Sequence, residues 1–405
     1  MPTIPQELVE VILADFDPVV DRASLESVAL TAINFAGPAQ RVLFRSLGIH
    51  GHQKLGSFDR AFNLLAGSPH IGPYVKDLTI KLPLKAALEH HHLLERLLPQ
   101  FSNVRRCVLN GVGVSWDDLQ PALQSALTAF ILRGTLDKLH LLHITNLPAG
   151  LIPLIAQTTP VLSLQNVFIK RGAPFSQGEQ ASSEIPHLTH LMLSSPHGMQ
   201  SHLCQQLTSP SCTANLLRLA VDQGLFADDL LHAVAPTLKE LSLNCTGTHQ
   251  PFTLPSLPHL VTLELQIAPS WVSMLPEWLP VALASLPDSV PALRTLTVRI
   301  ALPVLDAYAR KQDLALLATP GTTAVLAAVD TVLHGAVSLC VWELTMAEPA
   351  GAVMSAVGNS TVGAHSALVF ARFRAAVEKN VTRMCAEGTL EIRYAQRMGY
   401  VESLP

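Results

Sequence analysis

The stretch Pro236-Thr-Leu238-Lys-Glu-Leu241-Ser-Leu243 decides how the chain is read. Leu241 and Leu243 are separated by one polar residue, the period of a strand with one buried face. Leu238, three residues ahead of Leu241, turns the chain into that strand. Pro236 cannot easily continue a helix, so it marks a helix-to-strand junction. The same spacing returns on either side of this stretch. It appears as Val75-x-x-Leu78-x-Ile80, Val104-x-x-Cys107-x-Leu109, Leu136-x-x-Leu139-x-Leu141 and Leu164-x-x-Val167-x-Ile169. It continues as Leu188-x-x-Leu191-x-Leu193, Leu216-x-x-Leu219-x-Val221, Leu260-x-x-Leu263-x-Leu265 and Leu293-x-x-Leu296-x-Val298, with a more distant copy at Leu339-x-x-Trp342-x-Leu344. Proline stands ahead of several copies, as Pro186, Pro258 and Pro291.

Helix-like stretches lie between the strands, among them Leu93 to Leu98, Leu119 to Leu132 and Ala227 to Val234. A unit of this size cannot bury its own apolar face, so neighbours must stack, which predicts parallel strands. Copies recur at intervals from the low twenties to the low thirties, widening towards the end, a period that resembles leucine-rich repeats. The asparagine that follows the strand in regular repeats occurs here as Asn110 and Asn244 and in few other copies. The expected fold is therefore α/β, an irregular leucine-rich-repeat solenoid over residues 51–405, with a curved parallel sheet and helices on the convex side. Towards its end, Ala324 to Leu333 reads as a helix. Leu368 to Met384 reads as an amphipathic helix, with Gly388 as its C-cap. Leu390-Glu-Ile392-Arg-Tyr394 alternates as a final strand, and this helix and strand would close the array's edge.

The first fifty residues follow another pattern. Ile4-Pro5 opens an apolar series at helical spacing, Leu8, Val9, Ile12 and Leu13, with Glu7 near the helix start where the macrodipole favours acids. A second helical run places Leu25, Val28, Ala29 and Ile33 on one face, and Gly37-Pro38 interrupts it. A third run, Ala39 to Leu47, brings Leu43, Phe44 and Leu47 together. This short three-helix module, residues 1–50, is too small to bury every apolar position internally.

The pattern Ile4-Pro5-x-Glu7-Leu8-Val9-x-x-Ile12-Leu13, then Leu25-x-x-Val28-Ala29-Leu30, Phe35 and Ala39-x-x-x-Leu43-Phe44, resembles an F-box of the kind found in large families of fungal proteins. The resemblance implies that Ile4, Pro5, Leu8, Ile12 and Leu13 dock onto the Skp-type adaptor of a cullin–RING ubiquitin ligase. Ile4 stands where the family carries Leu. The second-helix block reads Val28-Ala29-Leu30-Thr31-Ala32-Ile33-Asn34-Phe35, without the family's arginine and tryptophan. Two readings follow. In one, the chain is the substrate-receptor subunit of an SCF-type ligase, with the adaptor on the helical module and a target protein on the repeats. In the other, it is a leucine-rich-repeat binding scaffold with no ubiquitin role, and the helices merely cap the array.

Composition narrows the remaining classes. The 405 residues are 49% hydrophobic and 14% charged with a net charge of −4, and the longest basic clusters are pairs such as Arg105-Arg106. That argues against nucleic acid as a partner. The six cysteines form no C-x-x-C pair, so they are expected to be reduced and buried rather than zinc ligands. His90-His91-His92 with Glu95 reads as a solvated helix face, since adjacent helical residues point in different directions. No G-x-S-x-G elbow, P-loop or H-E-x-x-H motif is present, so neither catalysis nor a cofactor is expected. Trp271 and Trp278, in a Pro-rich segment, read as an insertion between repeats or a contact surface. The first residues carry no basic n-region or apolar h-region, and the uncharged stretch 349–371 is too rich in Ala, Gly, Ser and Thr to insert well. The expectation is a soluble protein, cytoplasmic and/or nuclear, with no membrane partner.

Overall fold

The computed structural model describes residues 5–18, 20–31, 33–50, 57–85, 87–170, 187–194, 203, 206–222, 228–245, 252–267, 275–302, 319–347 and 359–397. The chain forms two compact units, 1–215 and 216–405. In the first unit, helices α1 (Gln6–Ala14), α2 (Arg22–Thr31) and α3 (Ile33–Leu43) precede strand β1 (Ser46–His50). Helices and strands then alternate: α4 (Ser57–Gly67), β2 (Asp77–Lys81), α5 (Leu88–Leu97), β3 (Arg106–Ser115), α6 (Pro121–Ile131), β4 (Lys138–Thr145), α7 (Leu151–Thr158) and β5 (Val161–Gln165). Strand β6 (His190–Ser194) and the short helix α8 (Pro210–Thr213) follow.

Strands β1 to β6 pair in sequence order, all parallel. The register aligns the repeat residues into two apolar rows, one through Leu78, Cys107, Leu139, Leu162 and Leu191, the other through Ile80, Leu109, Leu141, Leu164 and Leu193. Every one of these side chains is buried, as are Val75, Val104, Leu136 and Leu188, which turn the chain into its strands. Each strand thus packs on the strands beside it, as expected of an α/β array of stacked units.

The second unit repeats the scheme with β7 (Arg218–Asp222), α9 (Asp228–Val234), β8 (Glu240–Asn244), β9 (Thr262–Ile267), α10 (Leu279–Ala284), α11 (Leu286–Ser289) and β10 (Thr295–Leu302). It continues through α12 (Pro320–Leu333), β11 (Leu339–Ala347), α13 (Asn359–Asn380), α14 (Thr382–Ala386) and β12 (Leu390–Arg397). Strands β7 to β12 are again parallel and in order. The expected amphipathic helix is α13 and α14, broken at Val381, and Val369, Phe373, Val377, Val381 and Met384 are all buried as one apolar side. Gly388 ends α14 with φ +71°, the left-handed conformation a glycine adopts without steric cost. Asp330 of α12 is buried, and its carboxylate accepts hydrogen bonds from the backbone N–H of Arg383 (3.0 Å) and Met384 (3.1 Å). It satisfies donors that the start of α14 would otherwise leave bare.

In three places the structure frames the repeats differently from the sequence pattern. The copy placed at Leu164, Val167 and Ile169 is five residues early in fact: β5 buries Leu162 and Leu164, and Thr159 takes the turning position. Threonine there breaks the apolar signature, although its side chain is buried as a leucine would be. Strand β11 buries Cys340, Trp342 and Leu344, so its turning residue is Val337 rather than Leu339. The third difference is a further copy, Phe44-x-x-Leu47-x-Ile49, which lies in the segment expected to end the third helix. Leu47 and Ile49 are instead in β1, aligned with Leu78 and Ile80.

His91 is buried, contrary to a solvated reading of the histidine run. Its Nε2 lies 3.3 Å from the Leu84 carbonyl oxygen, and its Nδ1 accepts from the Gln120 backbone N–H at 3.3 Å. This pairing requires the neutral ring, and burial lowers its pKa below the ordinary value of 6.5. His140 is shifted the same way, by burial first and then by Lys138 and Arg106.

Two measurements test this architecture. Urea denaturation of Leu139→Ala should show a loss of about 2–5 kcal/mol, whereas Leu142→Ala on the open face of the same strand should cost about 1 kcal/mol or less. Because these histidines bind protons less readily when folded, their contribution is intact above the ordinary histidine pKa and is lost as pH falls through the lowered values. Urea midpoints should therefore drop from pH 7.5 to pH 5.5, and His91→Leu should flatten that slope.

Candidate protein-interaction surfaces

The three N-terminal helices divide their apolar residues between two sides. Val9, Leu13, Leu25 and Ala39 form a buried cluster, with Phe16, Val28, Ala29, Phe35, Val42 and Leu43 packed against it. On α1 the residues between those anchors point the other way. Leu8 is 54% exposed and Ile12 57%, and Val11 beside them is exposed too. A helix turns about 100° per residue, so Leu8, Val11 and Ile12 fall on one stripe while Val9 and Leu13 fall on another.

The five residues singled out for adaptor docking are thus distributed unevenly. Pro5 is exposed at the start of α1, where its carbonyl accepts from the N–H of Leu8 (3.1 Å) and Val9 (3.3 Å). Leu8 and Ile12 share the exposed stripe, and Leu13 belongs to the interior of the module. Ile4 lies outside the described residues, as do Cys204, Trp271, His197 and His202. Ile33 was expected on the buried face of the second helix and is 90% exposed. Helix α2 ends at Thr31 and α3 starts at Ile33, so the phase set by Leu25 and Val28 is not carried to Ile33.

The module is continuous with the sheet. Only Phe44 and Arg45 separate α3 from β1, and the Arg45 carbonyl accepts from the backbone N–H of Lys76 (2.8 Å) and Asp77 (3.0 Å). Arg41 of α3 donates to Glu10 of α1 at 2.7 Å, and its guanidinium lies 5.9 Å from the centre of the Tyr74 ring. The hydrogen bond to Glu10 raises the Arg41 pKa. These groups line a cleft of about 560 Å³ with Arg45, Lys76 and Asn103, and its one acid, Glu10, is the partner of Arg41.

The other surface is the sheet face opposite the apolar rows. In the first unit it carries Lys81, Arg106 and Lys138, with Asp77 bound to Arg106 at 2.5 Å. In the second unit it carries an alternating network in which Arg299 donates to Glu264 (2.6 Å) and Glu343 (2.7 Å). Arg393 there donates to both oxygens of Glu391, each at 2.6 Å.

Other groups weighed for chemistry are dispersed. Among the described residues no cluster of three or more His, Cys, Asp or Glu side chains has metal-binding geometry. Nδ1 of His92 is 3.8 Å from Glu95, while His90 stacks on Phe58. Cys107, Cys212, Cys245 and Cys340 are buried in the apolar layer, whereas Cys385 on α14 is exposed, counter to the expectation of burial. Burial pushes the Cys107 thiol well above its ordinary range and those of Cys245 and Cys340 up to about 12. Trp278 is buried and packs edge-on against Phe252 at 5.7 Å, which makes it part of the interior. Among the described residues no helix is long and apolar enough to cross a membrane. The sequence matches no protein-family model and no curated protein.

The division of α1 has a direct test. The double variant Leu8→Asp, Ile12→Asp should unfold within about 1 kcal/mol of the parent, because both side chains already face water. Leu25→Ala, in the module's interior, should lose about 2–5 kcal/mol in the same thermal or chemical melts.

Proposed function

We propose that the chain is the substrate-receptor subunit of an SCF-type cullin–RING ubiquitin ligase. Its N-terminal helices take a Skp-type adaptor, and its leucine-rich-repeat array takes a target protein. The observation that carries this reading is the split stripe of α1: Val9 and Leu13 hold the module together while Pro5, Leu8, Val11 and Ile12 stay on its outer side. A helix that served only to cap the array would turn Leu8 and Ile12 inward. Full burial of an apolar side chain of this size is worth about 1.5–3 kcal/mol, so a partner covering this stripe gains several kilocalories from it. The F-box resemblance names the partner that suits such a face. Ile4 and Pro5 open the motif, and Leu13 supports the face from within.

The chain's part in such a ligase is proximity. It holds a target near a conjugating enzyme and raises the effective concentration of the target's lysines, with no bond made or broken by its own side chains. The second reading, a repeat scaffold without a ubiquitin role, draws support from the direct run of α3 into β1, which is how a capping helix would join the array.

Copurification of the intact chain with a Skp-type adaptor separates the two. The adaptor should be retained by the parent protein and lost from the Leu8→Asp, Ile12→Asp variant. An intact chain that retains no adaptor rules out the ligase reading and leaves the scaffold.

A further inference from the structure

The cleft between α1, α3 and the 3-10 turn Pro69–Tyr74 lies where the helical module meets the first connection of the array, within the first unit. At about 560 Å³ it has the size of a small-molecule site, typically about 300–1,000 Å³, and cannot take a folded partner. Ala14, Pro38, Val42 and Pro73 give it an apolar wall, with the Tyr74 ring beside them. That ring is held from two directions. His70 packs edge-on against it at 5.9 Å, and the Arg41 guanidinium lies 5.9 Å from its centre.

The cations of the cleft are not balanced within it. Arg41 and Glu10 neutralise each other at 2.7 Å. Arg45 comes only to 4.0 Å from one oxygen of Asp77, whose other oxygen is bound to Arg106 at 2.5 Å, so two guanidinium groups share that carboxylate. The Lys76 side chain has no ion pair or hydrogen bond among the described residues. Its neighbours across the strand starts are cations too. The Lys76 N–H donates to the Arg45 carbonyl at 2.8 Å, and the Arg105 N–H donates to the Lys76 carbonyl at 2.8 Å. Arg105 has its own acid, Asp137, at 3.7 Å. Arg45 and Lys76 thus line the cleft from adjacent strand starts, a step of about 4.8 Å, with no carboxylate to themselves.

A carboxylate ligand would answer only one of these two charges. A phosphate monoester carries about −1.5 to −2 at pH 7 and offers three acceptor oxygens, which suits an arginine fork beside a lysine. Inorganic phosphate would satisfy the cations and leave the apolar wall bare. A phosphate with a compact carbon body uses both parts of the cleft.

We propose that this cleft binds a small organic phosphate monoester, its phosphate on Arg45 and Lys76 and its carbon body against Pro38, Val42, Pro73 and Tyr74. Such a ligand touches α3 and the turn ahead of β2 together, and so braces the helical module against the array. The proposal rests on neither reading of the function above.

Isothermal titration calorimetry of the full chain, with phenyl phosphate as the probe, tests it. Phenyl phosphate should bind at least tenfold more tightly than inorganic phosphate, which lacks the carbon body, and than benzoate, which lacks the second charge. Arg45→Ala with Lys76→Ala should weaken it at least tenfold, while Lys76→Arg should stay within about threefold of the parent. Arg372→Ala with Lys379→Ala, which removes two exposed cations from α13, should leave binding unaltered. If the double cleft variant does not fold, Lys76→Gln alone should still show a several-fold loss. Raising salt from 50 to 300 mM should weaken binding several-fold. The proposal is overturned if phenyl phosphate does not bind, if it binds the parent and the cleft variants alike, or if inorganic phosphate or benzoate binds as tightly. A short phosphotyrosine peptide is the remaining arm. If it binds tenfold more tightly than phenyl phosphate, the cleft belongs to a protein segment and the small-molecule proposal falls.

Discussion

Each strand of the array turns two or more apolar side chains to one side, and no strand can cover them alone. Leu78 is buried because Leu47 and Cys107 stand in register on either side of it, and Leu139 because of Cys107 and Leu162. This mutual covering is the constraint on which the rest depends. Burial of one such side chain stabilises by about 1.5–3 kcal/mol, and it is realised only when both neighbours are in place. The demand is on volume and polarity rather than on identity. Leucine, valine, isoleucine, cysteine and tryptophan all occupy the inward rows, and a buried threonine serves at residue 159.

Between the strands the connections vary in length and shape, and individual polar side chains hold them. His91 ties the segment around Leu84 to the segment that leads into α6, through one contact on each ring nitrogen. Asp330 ties α12 to the start of α14 and so fixes the helix that leads to β12. Such bonds join residues far apart in sequence. They let an irregular set of connections return each strand to the same register.

This division explains what could be read beforehand. A spacing of three and two, repeated, was enough to place most strands, because the inward rows obey a local periodicity. It faltered where one residue broke the pattern, as Thr159 does, or where two frames competed, as at Val337 and Leu339. The first copy, Phe44-x-x-Leu47-x-Ile49, has the right spacing, but it follows a helical run without a break and was absorbed into it. On α1 the apolar residues were visible, yet their division into Val9 and Leu13 inside and Leu8 and Ile12 outside depends on where α2 and α3 pack. Sequence periodicity finds the stripe but does not say which part of it another helix will occupy. The partners of His91 and Asp330 were out of reach for the same reason. The Gln120 amide and the amides of Arg383 and Met384 meet them only once the chain has folded.

The buried thiols carry a consequence for how opening of the chain could be followed. Cys107, Cys245 and Cys340 each sit against the apolar layer at a different strand or strand end, shielded from reagents and held in the protonated form. Each can react only when its own stretch of sheet lifts away. Cys385, exposed on α14, has no such shield and marks the rate of unhindered chemistry. The chain thus carries a set of internal clocks. Their relative rates of alkylation would report whether the stacked strands part together or fray from one place, without any label added to the protein.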